Sequence, residues 1–377
     1  MAPTESGVGP TVALAHDYLT QRGGAERVAA IMATGFPSSP LYTSVYEPSQ
    51  TFPAFDEFEV RTSHLQAIPP IRRNPRLALP LLAPTFSTMQ VDADVVIASS
   101  SGWAHGIGTE GEVIVYCHAP ARWLYQPQRY RGSLRSKGSF RTVATAAAAG
   151  LGPMLRRWDQ RAAHRAALYL VNSRAVATMV HEAYGIDAEV LSPPPALDAD
   201  GPLTPVPGID AGFVLSVSRL LPYKNVDVVF EMARRRPDLE FIHVGGGPLR
   251  AQLEAQRPSN VRMLDAVTDD QLRWLYHAAV VLIAPSYEDF GLTPLEAASC
   301  GTPTIALRAG GYLDTIIDRT TGLLFDELEP SLIAVTLDRL LADPPDQQVL
   351  RSHAANFSRQ AFIERLQDLA AAVSPIH

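Results

Sequence analysis

Short apolar runs that end in turns and lead into helix-like stretches recur along this chain. That alternation restricts it to sheets of parallel strands flanked by helices. The first block opens with Thr11-Val12-Ala13-Leu14-Ala15-His16, turns at Gln21-Arg22-Gly23-Gly24 and enters a helix near Ala25. Further strand-like runs follow at Val95-Val96-Ile97-Ala98, Val113-Ile114-Val115-Tyr116 and Leu168-Tyr169-Leu170-Val171. A second block begins at Phe213-Val214-Leu215-Ser216-Val217 and continues with Phe241-Ile242-His243-Val244, Val280 to Ala284 and Thr304-Ile305-Ala306. Between the blocks, Ser192-Pro193-Pro194-Pro195-Ala196 through Pro207-Gly208 reads as an interdomain linker, because proline stiffens the chain and breaks regular structure. The expected organisation is α/β, with one domain over 1–197, a second over 198–355 and a helical tail over 356–377. A length of 377 residues gives both domains ample core.

Composition narrows the class. Hydrophobic residues at 46% and charged residues at 19% fit a soluble globular protein. Two cysteines, Cys117 and Cys300, are too few for a disulfide framework and read as a reducing compartment. Met1 to Pro10 lack the basic start and apolar core of a secretory signal, and no run approaches the ~20 apolar residues of a membrane span. The expected location is cytoplasmic. The net charge of −7 is uneven: from Arg61 to Arg165 there are 14 Lys or Arg against 5 Asp or Glu, a balance of +9 that leaves −16 elsewhere. A basic face on an acidic protein suits an anionic partner such as a membrane surface or a lipid diphosphate; a merely solubilising surface accounts for it equally well. Nucleic acid is disfavoured, since no nucleic-acid motif accompanies the charge. Arg72, Arg73 and Arg76 interrupt an apolar run from Ile68 to Leu82, a mixture that suits a membrane interface, although its prolines argue against a regular amphipathic helix.

Several residues stand where open α/β sheets bind ligands, at the carboxyl ends of strands. After Val280 to Ala284 comes Ser286-Tyr287-Glu288-Asp289-Phe290-Gly291-Leu292-Thr293-Pro294-Leu295-Glu296, an acidic turn followed by a helix carrying a second carboxylate. The helix start offers free N–H groups to an anion, and a carboxylate accepts hydrogen bonds from a diol. A buried strand feeding a solvated acidic helix is the plainer alternative. After Phe213 to Val217, Arg219 and Lys224 stand five apart across a proline turn, able to converge on a diphosphate or equally to be two surface cations. Gly245-Gly246-Gly247-Pro248 and Gly23-Gly24 each follow a strand; both suit backbone approach to a ligand and both suit a plain tight turn. His118, in Tyr116-Cys117-His118-Ala119-Pro120-Ala121-Arg122-Trp123, closes a strand of the first block and has no His or Cys partners at zinc spacing.

The run from Ser286 resembles the E-x7-E signature of family 4 retaining glycosyltransferases, whose GT-B architecture sets two Rossmann-like domains facing each other across a cleft. The likeness extends through Pro303-Thr304-Ile305-Ala306 and Gly310-Gly311 to Thr321-Gly322-Leu323-Leu324-Phe325. Ser218-Arg219 to Lys224 is similar to the family's S-R-x-x-x-x-K pattern, and Gly245 to Pro248 to its G-x-G-P. The Tyr116 to Trp123 segment resembles Y-C-H-x-P-x-R-[YW] of bacterial polysaccharide mannosyltransferases.

The resemblance implies a retaining hexosyltransferase. Arg219 and Lys224 would grip the donor diphosphate, Glu288 would orient the sugar and Glu296 the ribose. Phe290, Gly291 and Leu292 would complete the donor site, with Gly23 and Gly24 beside it. His118 would approach the transferred sugar and Arg122 the acceptor. His118, Glu288, Arg219 and Lys224 thus form the expected catalytic set, working without a metal or other cofactor. The implied donor is a nucleotide sugar, GDP-mannose by the His118 segment. The implied acceptor is a saccharide or a polyprenyl-diphosphate-linked saccharide, with the protein peripheral on the inner face of the cell membrane. The helical tail would return to the first domain. Asp265, Asp314 and Asp318-Arg319 depart from the family pattern and bear on donor specificity. A sugar-nucleotide epimerase of the same architecture and a non-catalytic nucleotide-sugar binding protein are the rival readings.

Overall fold

The computed structural model describes residues 9–126 and 140–374, with the side chains of Arg76, Pro80, Trp123 and residues 140–149 outside that description. The described chain divides into two compact units, one of residues 9–126, 140–192 and 360–374 and the other of 193–359.

The first unit is built on nine strands: β1 (Val12–His16), β2 (Leu41–Thr43), β3 (Val60–Thr62), β4 (Gln90–Val91), β5 (Val95–Ser100), β6 (Gly108–Thr109), β7 (Glu112–Cys117), β8 (Leu168–Val171) and β9 (Glu189–Val190). Seven of them form a wholly parallel sheet in the order β3-β2-β1-β5-β7-β8-β9, while β4 pairs with β6 apart from it. The central strand β5 is buried along its whole length, so its sequence is an unbroken small and apolar run rather than an alternation. The second unit holds β10 (Val214–Val217), β11 (Phe241–Val244), β12 (Val261–Leu264), β13 (Val281–Ala284), β14 (Thr304–Leu307) and β15 (Gly322–Phe325). Its parallel sheet runs β12-β11-β10-β13-β14-β15, the doubly wound order of a Rossmann domain.

Each sheet reverses its direction of winding once, between β1 and β5 in the first unit and between β10 and β13 in the second. At such a reversal the loops leaving the two neighbouring strands diverge and open a crevice at their carboxyl ends. His16 and Ser99 pair in register across the first reversal, and Leu215 and Leu282 pair across the second.

The proline-rich stretch after Ser192 has neither helix nor strand up to β10, yet it is not a free tether. Leu197 and Ile209 are buried with Phe213 and Leu215 in the second unit's core, and the Arg273 guanidinium donates to the carbonyls of Asp198 and Pro202. The prolines break regular structure, but the apolar residues between them still find a core, so the division between units falls at Pro193. The helix Arg359–Val373 packs on the first unit: Phe362 meets the Tyr116 ring edge-on at 5.7 Å and Gln367 donates to the Gly35 carbonyl at 2.7 Å. The run from Ile68 to Leu82 is not one regular helix: a five-residue helix at Pro69–Arg73, with Pro69 and Pro70 in its first turn where no N–H is needed, is followed by a 3-10 turn at Pro75–Ala78 and a second helix, Leu79–Thr88.

Candidate active site

In the second unit, two loops at the carboxyl ends of β10 and β13 are tied together. Arg219 follows β10 and is exposed; Lys224 ends a single 3-10 turn, Pro222–Lys224. The next residue, Asn225, turns the chain through a left-handed conformation, φ 52°, and its Nδ2 donates to the Pro285 carbonyl at 2.9 Å. That bond draws the Lys224 turn to the loop after β13, where the Lys224 ammonium pairs with Glu288 Oε1. Ser286 Oγ donates to the same oxygen at 2.6 Å, and the Tyr312 hydroxyl lies 3.3 Å from Ser286 Oγ. Burial first, then the neighbouring Glu288 charge, holds the Tyr312 phenol well above its ordinary pKa, so it stays protonated.

Glycines shape this loop from behind. Gly311 N–H donates to the Glu288 carbonyl at 2.9 Å, closing the loop after β14 onto the loop after β13. Gly291 caps the helix Leu292–Ser299 with φ 88°, and a Cβ there would meet the Tyr312 ring at 2.5 Å. Its N-cap residue has no side chain to occupy the first N–H groups, which suit an anion. Leu292 begins the helix, half-buried. Phe290 is buried, its ring 6.2 Å from that of Phe357 and its backbone packed against Gly311. Glu296 is buried one turn into the helix and accepts from the Tyr276 hydroxyl through Oε2 at 2.8 Å. Gly245 and Gly247 hold φ of 138° and 158°, and Gly246 accepts the Leu220 N–H at 2.9 Å, so this turn braces the loop that carries Arg219. The departures at Asp265 and Asp318 have local uses: Asp265 pairs with Arg250 at 2.7 Å, and Asp318 pairs with Arg308 at 2.8 Å and accepts the Leu324 N–H at 3.0 Å.

In the first unit, His118 directly follows β7, and its N–H donates to the Ser100 carbonyl at 2.9 Å. Its Nε2 lies 2.8 Å from Ser99 Oγ, and Ser99 Oγ lies 3.0 Å from His16 Nδ1. Burial, then His16, then Arg122 lowers the His118 pKa to about 3, so the ring is neutral at ordinary pH. Arg122 opens the short helix Arg122–Tyr125. Gly23 and Gly24 stand at the start of the helix Gly24–Gly35; Gly23 is extended, φ −126°, and packs beside the Glu26 carboxylate. Nearby, Asp17 accepts from the N–H groups of Ser101, Trp103 and Ala104 and braces the loop after β5.

The structure therefore joins Lys224 to Glu288 and places Arg219, Gly291 and Glu296 on the same unit, while His118, Arg122, Gly23 and Gly24 belong to the other. Ser286, Tyr312, Asn225, His16, Ser99 and Glu26 escaped the sequence reading. His16 and Ser99 carried the signal that found His118, a polar residue closing an apolar strand. In the basic region, Arg72 pairs with Glu47 at 3.0 Å, Arg73 is exposed, and Ile68, Leu77 and Leu81 expose 41%, 50% and 48% of their surface. The Arg76 side chain and residues Arg129, Arg131, Arg135 and Lys137 lie outside the described set. Among the described residues no group of three or more His, Cys, Asp or Glu is arranged to hold a metal, and no helix is long and apolar enough to cross a membrane.

Two family models follow the division of the chain. Residues 22–200 match the one described as Glycosyltransferase Family 4, and residues 208–357 the one described as Glycosyl transferases group 1. The two stretches thus resemble, one after the other, a family 4 and a group 1 glycosyltransferase domain, and the fold of two Rossmann-like domains is that of GT-B glycosyltransferases. It is similar to the D-inositol 3-phosphate glycosyltransferase of Corynebacterium diphtheriae, with 35% identity over 173 residues, 41% of this chain and 40% of the relative. It is 37% identical over 186 residues to the protein of that name from Salinispora arenicola, 42% of this chain and 41% of the relative. The match to each of these thus spans about two-fifths of the relative's length. Among solved structures, Anabaena Alr3699/HepE in complex with UDP-glucose superposes with a TM-score of 0.71 at 17% identity, covering 96% of this chain and 100% of that one. Sucrose-phosphate synthase from Thermosynechococcus elongatus gives 0.69 at 18% identity, covering 95% and 98%. At such identities the likeness concerns the fold.

Proposed function

We propose that this chain transfers a hexose, with retention, from a nucleotide diphosphate sugar to a hydroxyl acceptor. The observation that carries the reading is the Lys224–Glu288–Ser286 cluster at the carboxyl ends of the strands flanking the winding reversal of the second sheet. It places a cation and a carboxylate beside an uncapped helix start, the complement of a sugar linked to a diphosphate. In the proposed reaction the bond from the anomeric carbon to the phosphate oxygen breaks as the acceptor oxygen attacks the same face. The acceptor proton passes to the leaving phosphate. Lys224 and Arg219 take up the charge that grows there, so the transfer proceeds without a metal. Glu288 holds sugar hydroxyls, Glu296 the ribose, and His118 a sugar hydroxyl as a neutral ring. Phe290, Gly291, Leu292, Gly23 and Gly24 supply backbone to the donor, and Arg122 serves the acceptor.

GDP-mannose is the preferred donor, on the strength of the Tyr116 to Trp123 segment. The names of the similar proteins support a second reading, with an inositol phosphate acceptor and a UDP-linked donor. Calorimetric titration with GDP, UDP, ADP and dTDP separates the two. Product analysis with and without acceptor then distinguishes transfer from epimerisation, and turnover of any kind excludes a pure binding protein. Failure to bind any of the four nucleotides overturns the proposal. A strict need for added magnesium or manganese after chelation overturns its metal-free form.

We further propose docking of the first domain on an anionic membrane, which would favour a polyprenyl-diphosphate-linked acceptor on the inner face. Exposed Ile68, Leu77 and Leu81 beside Arg73 support it; the Arg72 pairing with Glu47 subtracts from it. Co-sedimentation with anionic liposomes at low salt, released at high salt, is expected. Equal, weak binding to neutral and anionic liposomes makes a soluble acceptor the better reading.

A further inference from the structure

The first unit contains a buried chain of polar groups that the transfer reading leaves unused beyond its end at His118. Ser99 Oγ lies between two rings, 3.0 Å from His16 Nδ1 and 2.8 Å from His118 Nε2. A hydroxyl has one proton, so it donates to one ring and accepts from the other. The far end of the chain decides the direction. His16 Nε2 lies 3.9 Å from Glu26 Oε1, with only 2% and 3% of these two side chains exposed. A bare ring nitrogen turned to a carboxylate oxygen would oppose two lone pairs in a dry, low-dielectric place, whereas an N–H is attracted. When that proton on Nε2 is the only one on the His16 ring, Nδ1 must accept. Ser99 therefore donates to His16 and accepts from His118, which requires a proton on His118 Nε2. A neutral ring then has a bare Nδ1, and no described residue hydrogen-bonds to that atom.

Glu26 is held for this task. It stands in the first turn of the helix Gly24–Gly35, where the helix dipole favours an anion, and Gln21 donates to its Oε1 at 2.8 Å. Its Oε2 is buried without a partner, an arrangement that costs stability. Gly23 leaves the room, since a Cβ there would lie 2.5 Å from Oε2.

We propose that Glu26 is a positioning residue that, through His16 and Ser99, holds the His118 proton on Nε2 and presents Nδ1 as the acceptor for a ligand hydroxyl. The direction of the chain stands without the transfer reading; only the identity of the hydroxyl, on a sugar, rests on it.

Long-range proton–nitrogen spectra of the protein labelled with 15N-histidine read the tautomer directly, with the His118 signals assigned by their loss in His118→Asn. The wild type should show His118 protonated on Nε2. Glu26→Gln, whose amide can turn an N–H toward His16, should move the His118 proton toward Nδ1. Ser99→Ala, which cuts the chain, should give a mixture. A wild-type His118 protonated on Nδ1 overturns the proposal, and so does an unchanged tautomer in folded Glu26→Gln or Ser99→Ala. The spectra need neither donor nor acceptor, so failure here leaves the transfer reading to its own test. The wild type and Ser99→Ala decide the matter if Glu26→Gln does not fold.

Discussion

Lys224 and Glu288 neutralise each other in the structure described, with 12% and 23% of their side chains exposed. A donor entering this site exchanges that pairing for two new ones, phosphate to Lys224 and hydroxyl to Glu288. Arg219→Ala and Lys224→Ala should each weaken nucleoside diphosphate binding by roughly 1.5–3 kcal/mol, read by calorimetry, because a charged hydrogen bond is lost. Unchanged affinity in both variants contradicts the donor assignment. Histidine makes a second prediction at this scale. Burial lowers His118 to about 3 and His243 to about 4, against an ordinary value near 6.5. The unfolded chain therefore binds these protons first as pH falls. The stability they represent is complete above about pH 6.5 and drains away toward pH 4, at about 1.4 kcal/mol per pH unit for each ring. Urea unfolding from pH 7 to 5 should show the loss, and His243→Asn should reduce its slope by one histidine's share. Glu288 and Glu296 were legible in the sequence because their spacing is local. Ser286 and Tyr312 were not, since their joint use depends on a contact across 26 residues that only the folded loops create.

At the scale of elements, the strands were the most legible part, because those of a parallel sheet are buried on both faces and stand out as apolar runs. The irregular elements were less so. The stretch after Ser192 looked like a tether because proline dominates it, while the two side chains that anchor it, Leu197 and Ile209, are too sparse to form a pattern. The turn before β15 is a departure that the fold explains only in part. Asp318 is well used, but Arg319 holds φ 65°, the left-handed region that a residue with a Cβ resists. Apart from the attraction of its charge for the Asp318 carboxylate, nothing among the described residues explains an arginine there. Arg319→Gly relieves the left-handed strain, roughly 1–2 kcal/mol, and adds flexibility worth about 0.5–1 kcal/mol to the unfolded chain. A net gain of about 0.5–1 kcal/mol should appear in urea unfolding. A net loss would show that the Arg319 side chain makes a contact worth more than the strain.

At the scale of the whole molecule, two units were legible from the repeated alternation, and the placement of the tail was legible only through family resemblance. Amphipathic period shows that a segment is helical, not which surface receives it. The receiving surface is specific: Phe362 on Tyr116, Ile363 against the bare face of Gly35, and Arg365 paired with Glu189 at 2.8 Å. Ending the chain at Ser358 should therefore destabilise the first unit. It uncovers Tyr116, the penultimate residue of β7, two residues before His118. Removing Phe362 alone by Phe362→Ala should cost about 3–5 kcal/mol, in the manner of other buried aromatics. Equal urea midpoints for the wild type and either variant would mean that the helix contributes little to the first unit.

The same helix makes the first unit discontinuous in sequence, with residues 193–359 lying between its parts. On a ribosome the sheet of the first unit emerges before residues 193–359, yet the segment that covers Tyr116 and Gly35 emerges after them. The second unit, continuous in sequence, has all its strands in hand before that segment exists. Order of synthesis and order of completion are therefore reversed: the half made first must wait, with an apolar face uncovered, until the half made later has left the ribosome. In that interval the nascent N-terminal half is the part of this protein most in need of a chaperone.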